Sequence, residues 1–241
     1  MADPEPDPLA PAALRERLAT RLGPDPGARE AEQLAVSGVL VPIVPTEAGP
    51  LVLSTRRSEE LSAHPGQVSY PGGRREPGET LVDTALRETL EETGLGQDDV
   101  DVVGHLTDVE TFKADLVCVY VGLVEPPVAL EDPLTPEEVT ERMLAPVAGL
   151  LEGRSAAPAL REPLTASSQR CLGTPYPVLD YEARVLPRPE ARERVHYWHL
   201  AEDTTLWGIS GEITARLLRD VLDWTPPSKP REVDTQDDLM P

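Results

Sequence analysis

Lysine is nearly absent from this chain: of 22 basic residues, only Lys113 and Lys229 are not arginine. Aromatic residues make up 4% of the 241 positions, and Phe112 is the sole phenylalanine. The core therefore has to be aliphatic, built chiefly from Leu, Val and Ala. Two cysteines, Cys118 and Cys171, are too few for a disulfide scaffold and lack the CxxC or Cys/His spacing of a zinc site. Cys118 lies in the apolar run Leu116–Val121, where it reads as a buried, inert thiol. No apolar stretch approaches the ~18–20 residues a membrane helix needs. The amino terminus, Met1 to Pro8, is acidic and proline-rich, the reverse of a signal peptide. The expectation is a soluble, cytoplasmic protein.

Against the 22 cations stand 43 carboxylates, for a net charge of -21. A phosphate backbone or an anionic membrane would be repelled by that charge, which argues against nucleic acid and membrane as partners. With 39% hydrophobic residues the chain still has the material for a core. Excess carboxylate with scarce lysine suits concentrated salt, where the Debye length falls to about 3 Å at 1 M and self-repulsion is screened. The alternative is a GC-rich genome, which favours arginine over lysine, with an acidic surface. The salt reading expects unfolding or loss of activity on dialysis to low salt; a melting temperature unchanged between low and molar KCl counts against it.

A length of 241 residues predicts one domain. Leu9 to Leu22 places Leu14, Leu18 and Leu22 on one helical face, ended by the turn-rich Gly23–Gly27. Leu34–Val44 and Leu51–Thr55 read as strands around a hairpin turn. Residues 56–78 read as a long polar loop. A helix follows, capped by Thr80 and stopped by Gly94 after Thr93. Val100–Leu106, Leu116–Val124, Val178–Val185 and Val195–Leu200 read as further strands. Pro136–Leu151 reads as a helix interrupted near Pro146, residues 153–175 as loop, and Gly211–Trp224 as an amphipathic helix. Strands mixed irregularly with helices imply an α+β, or mixed α/β, single domain.

Within the helix opened by Thr80, Glu88, Glu91 and Glu92 stand at i, i+3 and i+4, so their carboxylates leave one face together. Leu81, Ala85 and Leu86 supply the apolar face that seats the helix on a sheet. A solvated acidic face is the plain reading of such glutamates. If partly buried, charges ~6 Å apart repel by about 3 kcal/mol per pair at an effective dielectric of 20. A divalent cation relieves that repulsion, and hard oxygen donors suit Mg²⁺ or Mn²⁺.

The stretch Gly73–Leu95 resembles the Nudix box, G-x5-E-x7-R-E-U-x-E-E-x-G-U, in which U is aliphatic. Gly73, Glu79, Arg87, Glu88, Glu91, Glu92, Gly94 and Leu95 match in register. The seven polar or glycine positions among them coincide by chance with odds on the order of 10⁻⁷ per start. Thr89 departs from the pattern at the first U, a near-isosteric change for Val. The resemblance implies the Nudix fold, a mixed sheet sandwiched between helices, over residues 32–224. Residues 1–31 would form an amino-terminal helix and linker, and 225–241 a disordered tail. It also implies Mg²⁺- or Mn²⁺-dependent cleavage of a nucleoside diphosphate linked to another group. On that carry-over Glu88 and Glu92 are the main metal ligands, Glu91 a further ligand or base, and the Gly73 carbonyl completes the site. Glu79 and Arg87 would orient the loop through an ion pair.

Upstream, Leu51–Gly73 resembles the extra motif of coenzyme A diphosphatases, with Ser54 and Tyr70 in place of the usual Thr and Phe. Leu206-Trp207-Gly208 and Thr214-Ala215-Arg216 resemble that family's closing helix. The resemblance implies coenzyme A or a derivative as the small-molecule substrate, bound by Arg56, Arg57 and His64. Arg56 and Arg57 would grip a phosphate bidentately, or stand as solvated arginines offsetting the acidic surface. His64 would touch substrate or hold a loop carbonyl. Other nucleoside diphosphate derivatives (ADP-ribose, NADH, dinucleotides) and a non-catalytic nucleotide sensor are the alternatives. The absence of proline across Gly104–Asp115 disfavours the ADP-ribose type. Oligomeric state is not legible.

Overall fold

The computed structural model describes residues 7–24, 35–46, 48–111, 115–124, 135, 137–156, 173–187, 192–235 and 237–241. Cys171, Lys113, Phe112 and most of the expected 153–175 loop fall outside them. The elements run α1 (Pro11–Arg21), β1 (Ala35–Val44), β2 (Leu51–Arg57), β3 (Val68–Ser69), β4 (Gly72–Arg74) and α2 (Leu81–Thr93). After these come β5 (Val100–Glu110), β6 (Leu116–Val124), β7 (Val139–Pro146), α3 (Val147–Glu152) and β8 (Thr174–Pro175). The chain closes with β9 (Asp180–Pro187), β10 (Arg192–Ala201), β11 (Thr204–Leu206), α4 (Gly208–Leu222) and β12 (Arg231–Glu232).

The main sheet is mixed, in the order β5-β6-β1-β2-β7-β8, with β3 added on β2 and β4 on β1. β1 runs parallel to β6 and antiparallel to β2. Both faces of this sheet are covered, which is why β1 and β6 read as near-continuous apolar runs. Along β6, Val117, Val119, Val121 and Leu123 join one core with Leu14 and Leu18 of α1 and Ile213, Leu217 and Val221 of α4. Cys118, Tyr120 and Val124 point the other way, into a second core with Leu81, Ala85 and Leu86 of α2. The result is a mixed α+β fold with helices on both faces of the sheet. A smaller sheet, β11-β10-β9-β12, lies on the α4 side, where Tyr181, His196, Trp198 and Trp224 form one aromatic cluster. Among the described residues, no helix is long and apolar enough to cross a membrane.

Three expectations need correction. Residues 139–146 form β7 rather than a helix, and only Val147–Glu152 is helical. β2 needs an antiparallel partner, and β7 supplies one from Leu51↔Pro146 to Arg57↔Val139. Met143 and Ala145 then enter one core and Leu144 the other, so pairing overrides a locally helix-like spacing. The 56–78 loop begins as strand and carries β3 and β4, and Gly72 and Gly73 pair with β1. The tail after 224 carries β12, parallel to β9, and a 3-10 turn at Asp237–Leu239. Two further strands had no counterpart in the sequence reading: β11, and β8, which lies within the expected 153–175 loop and pairs in parallel with β7.

Candidate active site

The three glutamates of the site are positioned by α2. Its amino terminus is fixed by a reciprocal cap: Asp83 N donates to Thr80 Oγ1 at 3.2 Å, and Thr80 N to Asp83 Oδ2 at 3.0 Å. Its end is set by Gly94 in the left-handed region at φ 74°. Inside, Thr89 is fully buried and satisfies its hydroxyl on Ala85 O at 2.6 Å, which explains how a polar residue occupies an aliphatic position.

The loop before α2 is held by Arg87. Its Nε donates to Glu79 Oε1 at 2.7 Å, and its Nη2 to Arg74 O at 3.1 Å. Thr84 Oγ1 and Glu76 N add donors to Glu79 Oε2. The Arg87 guanidinium, with these donors, holds the Glu79 carboxyl down at about 2. The same guanidinium reaches Glu88 at 2.9 Å and Glu91 at 3.2 Å. One arginine thus orients the loop and gathers two of the three glutamates.

Glu88 lies against the Gly73 backbone so closely that a Cβ at position 73 would collide with its carboxylate. Burial raises the Glu88 pKa against the pull of Arg87, and the charges of Glu91 and Glu138 add to the rise. Glu92 is only 3% exposed. Burial, then the charge of Glu88, pushes it up to about 8, although Thr55 Oγ1 donates to Glu92 Oε2 at 3.2 Å and Arg57 opposes the shift. Two carboxyl groups whose ionised forms are disfavoured, gathered with Glu91 beside a backbone cradle without a Cβ, fit a hard divalent cation. Glu88, Glu92 and Glu91 are the side chains that could hold such an ion, with the Gly73 backbone packed against Glu88.

The two arginines at the end of β2 part company. Leu51 and Leu53 face α2, and period-two alternation puts Thr55 and Arg57 on that same face. Arg57 accordingly sits with Glu92, and its Nε is buried with no hydrogen-bond partner. Arg56 turns to the other sheet, where Nη1 donates to Thr204 Oγ1 at 3.2 Å and Nη2 pairs with Asp203 at 3.4 Å. His64 is exposed at a turn with φ 56°, its carbonyl accepting from Gln67 N. Thr55 was not singled out in the sequence, yet it was findable as the polar residue that continues an apolar strand face. Glu138, exposed but electrostatically coupled to Glu88 and Glu92, enters from the turn before β7. His196 and Trp207 hold structure: His196 is buried, its Nδ1 shares a hydrogen bond of 2.8 Å with Tyr181 Oη, and burial pushes it down to about 4, while Trp207 caps α4.

The NUDIX domain model matches residues 35–164. The Nudix hydrolase NudL of Photorhabdus laumondii, whose name marks it as uncharacterized, is 31% identical over 200 residues, which is 82% of this chain and 91% of that protein. Nudix hydrolase 3 of Caenorhabditis elegans is 44% identical over 95 residues, but the match spans only 40% of the worm protein and 39% of this chain. Among solved structures, the NUDIX domain of Shewanella oneidensis NrtR complexed with ADP ribose is 22% identical, with a TM-score of 0.40 over 53% of this chain and 80% of that one. A box held in register on a capped helix, a domain match across more than half of the sequence and a relative spanning most of it agree. This chain belongs to the Nudix family of hydrolases, which act on nucleoside diphosphate derivatives and generally use divalent ions such as Mg²⁺ or Mn²⁺.

Proposed function

We propose that the chain is a coenzyme A diphosphatase, hydrolysing the diphosphate bond of coenzyme A or its derivatives to 3′,5′-ADP and 4′-phosphopantetheine. The reading rests on Arg57. A buried guanidinium Nε without a hydrogen-bond partner costs stability unless something completes it. On the strand face shared with Glu92, a phosphate oxygen is the acceptor that would. Arg57 belongs to the Leu51–Gly73 stretch that resembles the extra motif of the coenzyme A diphosphatases.

Glu88, Glu92 and Glu91, with the Gly73 carbonyl, would hold Mg²⁺ or Mn²⁺; when bound, such an ion neutralises diphosphate charge and makes water a better nucleophile. Water attacks one phosphorus in line, and the other phosphate leaves. Arg87 keeps Glu88 and Glu91 oriented, and Thr55 does the same for Glu92. In this reading Arg57 grips the diphosphate or the additional phosphate of coenzyme A. Arg56 and His64 take the outer part of the substrate. Arg56 lines a cleft of about 390 Å³ with Gln67, His199 and Asp203, and Pro65, next to His64, borders it.

Incubation with coenzyme A, Mg²⁺ and molar salt, followed by chromatography, is expected to yield the two products in equal amounts. Turnover of ADP-ribose, NADH or a dinucleotide instead would reassign the substrate within the family. A folded, metal-binding chain that turned over none of these would be a nucleotide sensor.

A further inference from the structure

On the far edge of the main sheet, β5 contains an irregularity: His105 pairs with Tyr120 and Thr107 with Val119, leaving Leu106 as the extra residue. In a regular strand, residues three apart face opposite sides. The bulge returns Asp108 to the same face as His105, directly opposite Cys118 on β6. His105 Nε2 lies 2.8 Å from Asp108 Oδ1, and Cys118 Sγ lies 3.1 Å from that same oxygen. All three donor atoms fall within 4.8 Å of one another. The Tyr120 ring stands edge-on to the imidazole at 5.8 Å. Cys118 is 1% exposed, whereas the His105 and Asp108 side chains are 14% and 31% exposed. The thiol is thus the innermost of the three groups and the carboxylate the outermost.

We propose that His105, Asp108 and Cys118 form a second metal site, one that takes a borderline-soft divalent ion of the zinc type. Thiolate, imidazole and carboxylate together match Zn²⁺ or Co²⁺ and suit Mg²⁺ poorly. Two hydrogen bonds converging on one carboxylate oxygen put the donors where an ion can replace the bridging protons. On binding, the thiol releases its proton and the imidazole carries its own on Nδ1, so Nε2 is free to donate its lone pair. Three protein donors leave a fourth position for water.

The site is separate from the box but lies in line with it. Asp108 pairs with Cys118, Cys118 with Gly38, and Gly38 with Gly73, a lateral row across β5, β6, β1 and β4. Three strand spacings place it on the order of 14 Å from Gly73. An ion there would pin the bulged edge strand to β6, next to the strand on which α2 rests. The proposal does not depend on the substrate of the box.

The probe is Co²⁺ added to the full chain after chelator treatment, in the presence of excess Mg²⁺ to occupy the oxygen site. One equivalent should bring up a thiolate-to-cobalt charge-transfer band, which Zn²⁺ then abolishes by displacement. The band should vanish in Cys118→Ser, weaken at least tenfold in affinity in His105→Gln and Asp108→Asn, and survive in Cys171→Ser and Glu92→Gln. Circular dichroism checks that each variant is folded; should Cys118→Ser not fold, the two outer variants carry the test. A folded wild-type chain with no band, a band that persists in Cys118→Ser, or one lost in Cys171→Ser would overturn the proposal.

Discussion

The two faces of β2 differ in what they are made for. Toward α2, the strand continues from Leu51 and Leu53 to Thr55 and Arg57, and those last two residues meet Glu92. Away from it, Arg56 reaches the β10–β11 hairpin and is already paired there with Asp203 and Thr204. The candidate site thus lies on one face, whose components come from a single contiguous stretch plus the strand beside it. The opposite face is assembled from segments about 150 residues apart and has its charges satisfied internally.

The strongest way to break this comparison is at the carboxylates. Glu88→Gln or Glu92→Gln should lower turnover by more than ~100-fold, beyond what losing a supporting partner costs, with an unchanged circular dichroism spectrum. Near-wild-type rates in both variants would refute their role. Next come the neighbouring arginines. Arg57→Ala should reduce kcat/KM by roughly 10–100-fold, the value of a charge-assisted hydrogen bond. Arg56→Ala should change it only a few-fold; equal losses would erase the distinction between the faces.

A smaller effect appears in stability. In the folded, metal-free chain Glu92 titrates near 8, above its unfolded value, so between about pH 4.5 and 8 the folded state holds the extra proton. Stability should therefore fall as pH rises through that window, by up to about 1.4 kcal/mol per pH unit. Urea melts at several pH values in chelator measure the slope, and Glu92→Gln should flatten it. The smallest effect is expected from Thr55→Val, which removes one donor to Glu92 and should weaken Mn²⁺ binding by roughly 2–10-fold. Ser54→Ala, on the other face, should leave binding unchanged.

The box was legible because it is local. Cap, helix, glutamate spacing and stop signal all lie within Thr80–Gly94, where helix geometry alone fixes which side chains share a face. The strand at 139–146 was not legible, because its identity depends on pairing with β2, some 90 residues earlier. The parting of Arg56 and Arg57 was available from strand alternation, but only once β2 is known to extend to residue 57 rather than stop at Thr55. The His105–Asp108–Cys118 grouping had no readable spacing, since a bulge and a cross-strand register bring it together.

The central claim, that Glu88 and Glu92 jointly hold a hard cation, is tested most directly by calorimetric titration of Mg²⁺ into the folded chain near pH 7, in two buffers of different ionisation enthalpy. Uptake accompanied by release of close to one proton, and lost in Glu92→Gln, is the predicted result. Absence of uptake by the wild-type chain, or undiminished uptake by both Glu88→Gln and Glu92→Gln, would contradict it.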